Sequence, residues 1–305
     1  MRILITGASG LLGINLALEA AGQHTVFGVV NSRGLKTEAF TVLQADLLEP
    51  GAVERVLDES QPDWVIHCAA LANLEACEKH PALARELNTE VPRNLAAQCR
   101  NGGARLLHVS TDAVFDGKRG GYTEDDSPNP LGVYSRTKLE AEHAVAEAYP
   151  EAIIARVNLF GWSLTGKRSL AEFFFYNLQA GKNLMGFTDV YFSPLLVNDI
   201  AHIFIKMLKK GLGGLYHVVS SESLSKYEFG VAIARKFGLD SELIAPRSVS
   251  DAGLEAVRSP NLTLKVDKLI HALGESPPGI SPALERFYTL YQQGYPQFLG
   301  RLVGW

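Results

Sequence analysis

Within "PLGVYSRTKLEAEHAV" Tyr134 stands four residues before Lys138, a spacing that sets both side chains on one face of a helix. The pairing has a chemical use. A free phenol titrates near 10, roughly three units above neutrality, so it needs help to exchange a proton; a neighbouring ammonium favours the phenolate and lowers its pKa. Tyr134 so placed can act as a general acid, although Tyr-x-x-x-Lys alone is common in surface helices. Upstream, the apolar run of "LLHVSTDAVFDG" ends in two hydroxyls, Ser110 and Thr111. Ligands of open α/β sheets collect at the carboxyl ends of strands, where the Thr111 hydroxyl can hydrogen-bond a carbonyl oxygen. Ser110, Thr111 and Asp112 are equally residues that make caps and turns.

A second cluster opens the chain. In "MRILITGASGLLG", Gly7, Gly10 and Gly13 follow a strand-like run and lead into an apolar helix. This G-x-x-G-x-x-G spacing is a variant of the turn that lets backbone approach a pyrophosphate while N–H groups at a helix N-terminus face the anion. Ser9, Leu11 and Leu12 share that turn. A tight turn made for structural reasons alone would look the same, but the strand-to-helix context is the one a dinucleotide site requires. At the end of the second strand, "VVNSRG" replaces the acidic residue that would bond an adenosine ribose. Asn31 and Ser32 can donate hydrogen bonds and Arg33 can pair with a phosphate, which favours NADPH with NADH possible; Arg33 as a solvated loop residue is the alternative. In "QADLLEP", Asp46, followed by Leu47, is placed to meet the adenine amino group or to cap the next helix.

These residues need a scaffold, and the first half of the chain spells one. Strand-like "RILIT", "TVFGVV", "DWVIHC", "RLLHVS" and "AIIARV" alternate with helical stretches over 10–22, 50–60, 81–100 and 132–149, which argues for a parallel sheet covered on both faces. The expected fold is α/β, a Rossmann-type doubly wound parallel sheet with a smaller C-terminal α/β substrate-binding lobe. Residues 1–160 form the dinucleotide-binding domain, with 195–219 returning to it; 161–305 form mainly the substrate lobe. The aromatic C-terminal "RFYTLYQQGYPQFLGRLVGW" suits packing on the main body or on a second subunit.

With 305 residues, 47% hydrophobic and 20% charged, net charge −4 and pI about 6.1, the chain lacks the basic clustering that nucleic acid or an anionic membrane would attract. No apolar stretch is long enough to span a bilayer and no signal core opens the chain, so a cytoplasmic location is expected. Cys68, Cys77 and Cys99 suit neither zinc nor a disulfide framework, and no metal site is expected.

Gly7-Gly10-Gly13, "STDAVFDG" and "PNPLGVYSRTKLEAE" together resemble the extended short-chain dehydrogenase/reductase superfamily. More narrowly, the chain resembles the dTDP-4-dehydrorhamnose reductases and their sugar-nucleotide-binding relatives, over nearly its whole length; "CAALANLEACEKHPALARELNTEVPRNLA", "SPLLVNDIA" and "VRSPNLTLKVDKL" fit the middle and later segments. The resemblance implies a catalytic set of Thr111, Tyr134 and Lys138, with Lys138 also bonding the nicotinamide ribose. It puts Asn88 where such enzymes use an asparagine in a water-mediated proton relay, a place that a packing polar residue would also fill. Ala69 and Ala70 fall where small residues admit the cofactor. Arg258 matches an arginine near the substrate diphosphate, and Thr111 also meets the substrate.

The implied reaction is NADPH-dependent reduction of a 4-keto-6-deoxy nucleotide sugar, as in dTDP-rhamnose biosynthesis, with a nucleotide sugar as partner and a homodimer possible. Fold alone does not select among the superfamily's reactions. Dehydratases of this superfamily carry an acid pair after the threonine, whereas Ala113 follows Asp112 here; epimerases usually pair with an acidic ribose partner rather than "NSR". The chain also departs from the rhamnose-forming pattern. Leu159 stands where an aromatic residue is typical, with Trp162 nearby, and Ala72 and Leu74 replace polar residues near the sugar. The alternatives are a non-catalytic NADP-binding subunit resembling the regulatory partner of methionine adenosyltransferase, and a nucleotide-sugar epimerase.

Overall fold

Each central strand carries apolar side chains toward both faces because helices cover both. Ile3 and Ile5 of β1 (Arg2–Thr6) enter the larger core cluster while Leu4 enters the other, as the period of two demands. A computed structural model describes residues 1–32, 34–252 and 259–303. Arg33 and Arg258 lie outside the described residues.

The main sheet is built of β1, β2 (Thr25–Val30), β3 (Thr41–Gln44), β4 (Trp64–His67), β5 (Arg105–Thr111), β6 (Ile153–Val157) and a last strand, Gly214–Val218. All neighbours are parallel, in the order β3-β2-β1-β4-β5-β6 and then Gly214–Val218. The order reverses between β1 and β4, so the chain leaves these two strands in opposite lateral directions and opens a crevice at their carboxyl ends. This is the expected Rossmann-type architecture.

α1 (Leu11–Ala21) and α8 (Val197–Lys209) cover one face; α2 (Ala52–Ser60), α5 (Val91–Gly102) and α6 (Val133–Ala148) cover the other. On the α6 face the strands turn from apolar to polar toward their carboxyl ends: Leu4 then Thr6, Val65 then His67, Leu106 then His108 and Ser110, Ile154 then Arg156. That gradient makes one end of a hydrophobic sheet chemically capable.

Where a single helix was expected over 81–100, the chain forms α4 (Pro81–Arg85), a π-helical turn at Glu86–Glu90 and then α5. Pro92 supplies no N–H for the Asn88 carbonyl, so the regular ladder is interrupted just before it. Past Val157 the expected alternation gives way to three two-stranded pairs, Leu159–Phe160 with Leu195–Leu196, Tyr191–Phe192 with Leu224–Ser225, and Leu184–Phe187 with Ile244–Arg247. Between and after them lie α7 (Leu170–Gln179), α9 (Lys226–Phe237) and α10 (Asp267–Leu273).

The aromatic C-terminus packs on the body of the same chain. Trp162, fully buried, stacks on Phe287 of α11 (Ile280–Gln292) at 4.0 Å between ring centroids and donates its indole N–H to the Phe287 carbonyl. Tyr295, which opens α12 (Tyr295–Arg301), donates to Asn15 Oδ1 of α1 at 2.9 Å. Just beyond, Leu302 O accepts from Lys36 N at 2.8 Å and Val303 bridges Leu35, which sets these two residues beside Leu35 and Lys36. No helix among the described residues is long and apolar enough to cross a membrane.

Candidate active site

At the switch point the glycine turn is dictated by close approach. Gly7 sits at φ +68°, and a Cβ there would lie 2.8 Å from the Ala69 nitrogen; a Cβ on Gly13 would lie 2.2 Å from the Gly7 carbonyl oxygen. The first glycine lets the turn after β1 meet the turn after β4, and the third lets α1 pack onto it. Gly10 closes the turn by donating its N–H to Gly7 O at 2.8 Å, then caps α1 with no side chain to satisfy the N–H groups of the first helical turn. Those donors and the dipole behind them fit an anionic diphosphate.

The other cofactor candidates line the same edge in different ways. Ser9, Leu11, Ala69 and Ala70 are half-buried around the crevice, while Leu12 and Leu47 have core side chains, so any contact they make with a ligand runs through backbone. Asn31 and Ser32 are exposed in the bend after β2. Asp46 accepts the Leu48 N–H at 3.0 Å in a turn; the cap of α2 is Gly51, so the alternative role expected for Asp46 is not the one it has.

The reacting groups come from β5 and α6. Thr111, the last residue of β5, donates to Asp112 Oδ1 and accepts from Ala113 N, both at 3.2 Å, which makes it the cap of a short 3-10 turn as well as a hydroxyl at the mouth of the crevice. Tyr134 lies in the first turn of α6, with the Thr111 hydroxyl among the groups that act on its phenol, while that hydroxyl itself is bonded to Asp112 and the Ala113 N–H. Asp112 is buried, and desolvation pushes its carboxyl up to about 6 against the Asn158 amide, the Thr111 hydroxyl and the Lys226 charge. Asn158 Nδ2 donates to it at 2.6 Å.

Lys138 corrects one expectation. Its ammonium does not bond Tyr134; it donates to His108 Nε2 at 3.1 Å and to the Val109 carbonyl at 2.7 Å. Burial dominates both titrations, pushing the phenol up to about 12 and the lysine down to about 8. Tyr134 is therefore a firmly protonated donor rather than a lowered phenol.

Asn88 lies in the π-helical turn, fully buried, with its side chain committed to the protein. Its Oδ1 accepts from Leu71 N at 2.8 Å, and its Nδ2 donates to Leu71 O at 3.2 Å and to Thr137 Oγ1 at 3.1 Å. It ties the loop after β4 to α6, the packing alternative for this residue. Thr111, Tyr134 and Lys138 thus converge, whereas Asn88 stands behind them. Trp162 belongs to the core, and Ala72 and Leu74 are exposed at the start of α3 (Leu74–Lys79).

Sequence reading missed His67, His108, Glu142 and Arg156, all buried around Lys138 or its helix. For His67, His108 and Arg156 the available signal was a titratable residue set inside an apolar strand, as in "WVIH", "RLLHVST" and "IIARV".

A seven-stranded parallel sheet of this order, with a glycine turn at its switch point and a threonine, tyrosine and lysine at the adjoining strand end, defines an enzyme of the extended short-chain dehydrogenase/reductase type, an oxidoreductase. The RmlD substrate binding domain family matches residues 1–293, and the chain belongs to that family. It is 33% identical to a probable low-salt glycan biosynthesis reductase of Haloferax volcanii, over 95% of this chain and 99% of that one. It is 32% identical to the methionine adenosyltransferase 2 subunit beta of Danio rerio, over 88% of this chain and 84% of that one. A dTDP-4-dehydrorhamnose reductase of Bacillus anthracis, solved with NADP, superposes with a TM-score of 0.81 at 27% identity, covering 94% of this chain and 98% of the other.

Proposed function

We propose that this protein is an NADPH-dependent reductase of a 4-keto-6-deoxy nucleotide sugar. What supports the reading is the placement of Thr111 at the end of β5 and of Tyr134 and Lys138 on α6, which packs on that strand, next to the glycine turn. The NADP in the Bacillus anthracis relative and the reductase from Haloferax volcanii support it.

The turn Gly7–Gly13 would hold the cofactor diphosphate, Asn31, Ser32 and Arg33 its adenosine end, and Asp46 and Leu47 the adenine. Ala69 and Ala70 would leave room for the dinucleotide. Bound there, the nicotinamide supplies the hydride. Tyr134 gives its proton to the alkoxide that develops at the sugar carbonyl, and the Thr111 O–H swings from Asp112 to hold that oxygen. The phenol, even pushed up to about 12, remains a donor to the more basic alkoxide. Lys138 orients the ribose and keeps a positive charge beside the forming phenolate. Residues 161–305 would supply most of the sugar and nucleotide contacts, Arg258 among them.

The test is to mix purified protein with NADPH and a panel of dTDP-4-keto sugars and follow absorbance of the reduced nicotinamide. Oxidation with at least one of them, and slower turnover with NADH, is the expected result. The likeness to the Danio rerio subunit favours a second reading, an NADP-binding regulatory protein. Cofactor binding with no oxidation on any sugar would select it.

A further inference from the structure

We propose that His108 is a positioning residue for Lys138: a ring held neutral inside the sheet that fixes the lysine ammonium at the mouth of the crevice. The inference rests on the reading of Lys138 as the ammonium beside the reacting groups.

Chemistry assigns the ring's state. An ammonium only donates, so His108 Nε2, 3.1 Å from Lys138 Nζ, is an acceptor and carries no proton. The ring proton then sits on Nδ1, which is buried and has no partner among the described residues. A second proton would set a cation against Lys138 in a dry interior, and burial together with that charge holds the His108 pKa well below the ordinary histidine value.

The wall behind His108 is also fixed. His67, its register partner on β4, stacks on it at 5.4 Å between centroids and 20° between planes. Thr6 accepts the Ala69 N–H at 3.2 Å, and its own hydroxyl lies 2.7 Å from His67 Nδ1. Thr6 precedes Gly7, so the chain Thr6–His67–His108–Lys138 joins the glycine turn to the lysine.

Among the described residues no other side chain hydrogen-bonds the ammonium. From its own helix, Glu142 lies near but is spent on Arg156 and Ser110; from β4, His67 and Cys68 face it; from β5, His108 is the side-chain partner, with the Val109 carbonyl the second acceptor. His108 therefore supports the charged lysine against its burial. Without it the ammonium keeps one acceptor, and the lysine gives up its proton at lower pH.

The test reads the lysine directly. In protein labelled with ¹⁵N at lysine side chains, the Lys138 signal is assigned by its loss in Lys138→Met and titrated. Wild type is expected to titrate at about 8. His108→Leu should titrate about one unit or more lower, with the high-pH limb of kcat/KM on a ketosugar moving down by the same amount. His108→Gln, whose amide oxygen can accept, should restore both. An unmoved midpoint in His108→Leu, or equal displacement in the Leu and Gln variants, overturns the proposal. Should His108→Leu not fold, His108→Phe keeps a ring stacked on His67 while removing the acceptor. A wild-type protein that reduces no ketosugar defeats the reductase reading, but the titration still decides the role of His108.

Discussion

Two polar rows cross the α6 face of the same sheet two residues apart on β5, and they are finished differently. The row Ser110–Arg156–His217, across β5, β6 and Gly214–Val218, lies under Glu142. Every charge in it is matched: Arg156 donates to both Glu142 oxygens, Ser110 donates to the same carboxylate, and His217 divides its ring nitrogens between the Lys265 carbonyl and Arg156. The row Thr6–His67–His108 lies one helical turn away, under Lys138. It contains an ammonium with no carboxylate bonded to it, and two neutral rings each leave a buried nitrogen unpartnered. The closed row holds α6 on the sheet. The open row carries uncompensated cost next to the crevice, the pattern of a site held ready for chemistry.

The largest expected effect falls beside the open row. Tyr134→Phe removes the proton donor and should lower kcat about 10²- to 10⁴-fold, with NADPH binding and the urea midpoint unchanged. Steady-state kinetics and equilibrium unfolding check it. Loss of cofactor binding in place of turnover would deny the phenol its role.

The closed row should respond in the opposite currency. Glu142→Leu strands Arg156, which is 2% exposed, and should cost about 3–5 kcal/mol in urea unfolding. Adding Arg156→Met should recover most of that loss, because the pair is worth less as a salt bridge than its broken half costs. If Glu142→Leu costs under about 1 kcal/mol, the two rows do not differ as described.

What the sequence disclosed divides along the same line. β1, β2, β4, β5 and β6 were legible because each is an apolar run bounded by turn residues, whereas β3, short and half exposed, was not; Tyr134 and Lys138 were legible because helical spacing is local. The glycine turn was legible for a similar reason. His67 and His108 are 41 positions apart, and nothing within either strand says that the two are opposite; only the β4–β5 register does. The partner of Lys138 was hidden for that reason, and an ammonium expected to turn toward Tyr134 turns to the sheet. Asn88 shows the complementary case: its helix was legible, but its commitment to Leu71 and Thr137 follows from a loop and a second helix. The two-residue strands after Val157 are too short to carry a periodic signal.

The smallest expected effect sharpens the comparison most, since it runs against the usual direction of a core mutation. Lys138 titrates at about 8 in the folded protein against 10.5 for an exposed lysine. Between those values the unfolded chain binds a proton that the folded chain does not, so stability rises with pH from about 8 to 10.5, and the buried charge costs up to about 3 kcal/mol at neutral pH. Lys138→Met removes that cost but orphans two acceptors, His108 Nε2 and Val109 O, at about 1 kcal/mol each. The net expectation at pH 7 is a protein more stable by about 1 kcal/mol, without the rise above pH 8, and without turnover. Urea unfolding at pH 7, 8.5 and 10 reads both features. A destabilised Lys138→Met whose pH dependence matches wild type would place Lys138 with Glu142, as one more member of a closed network.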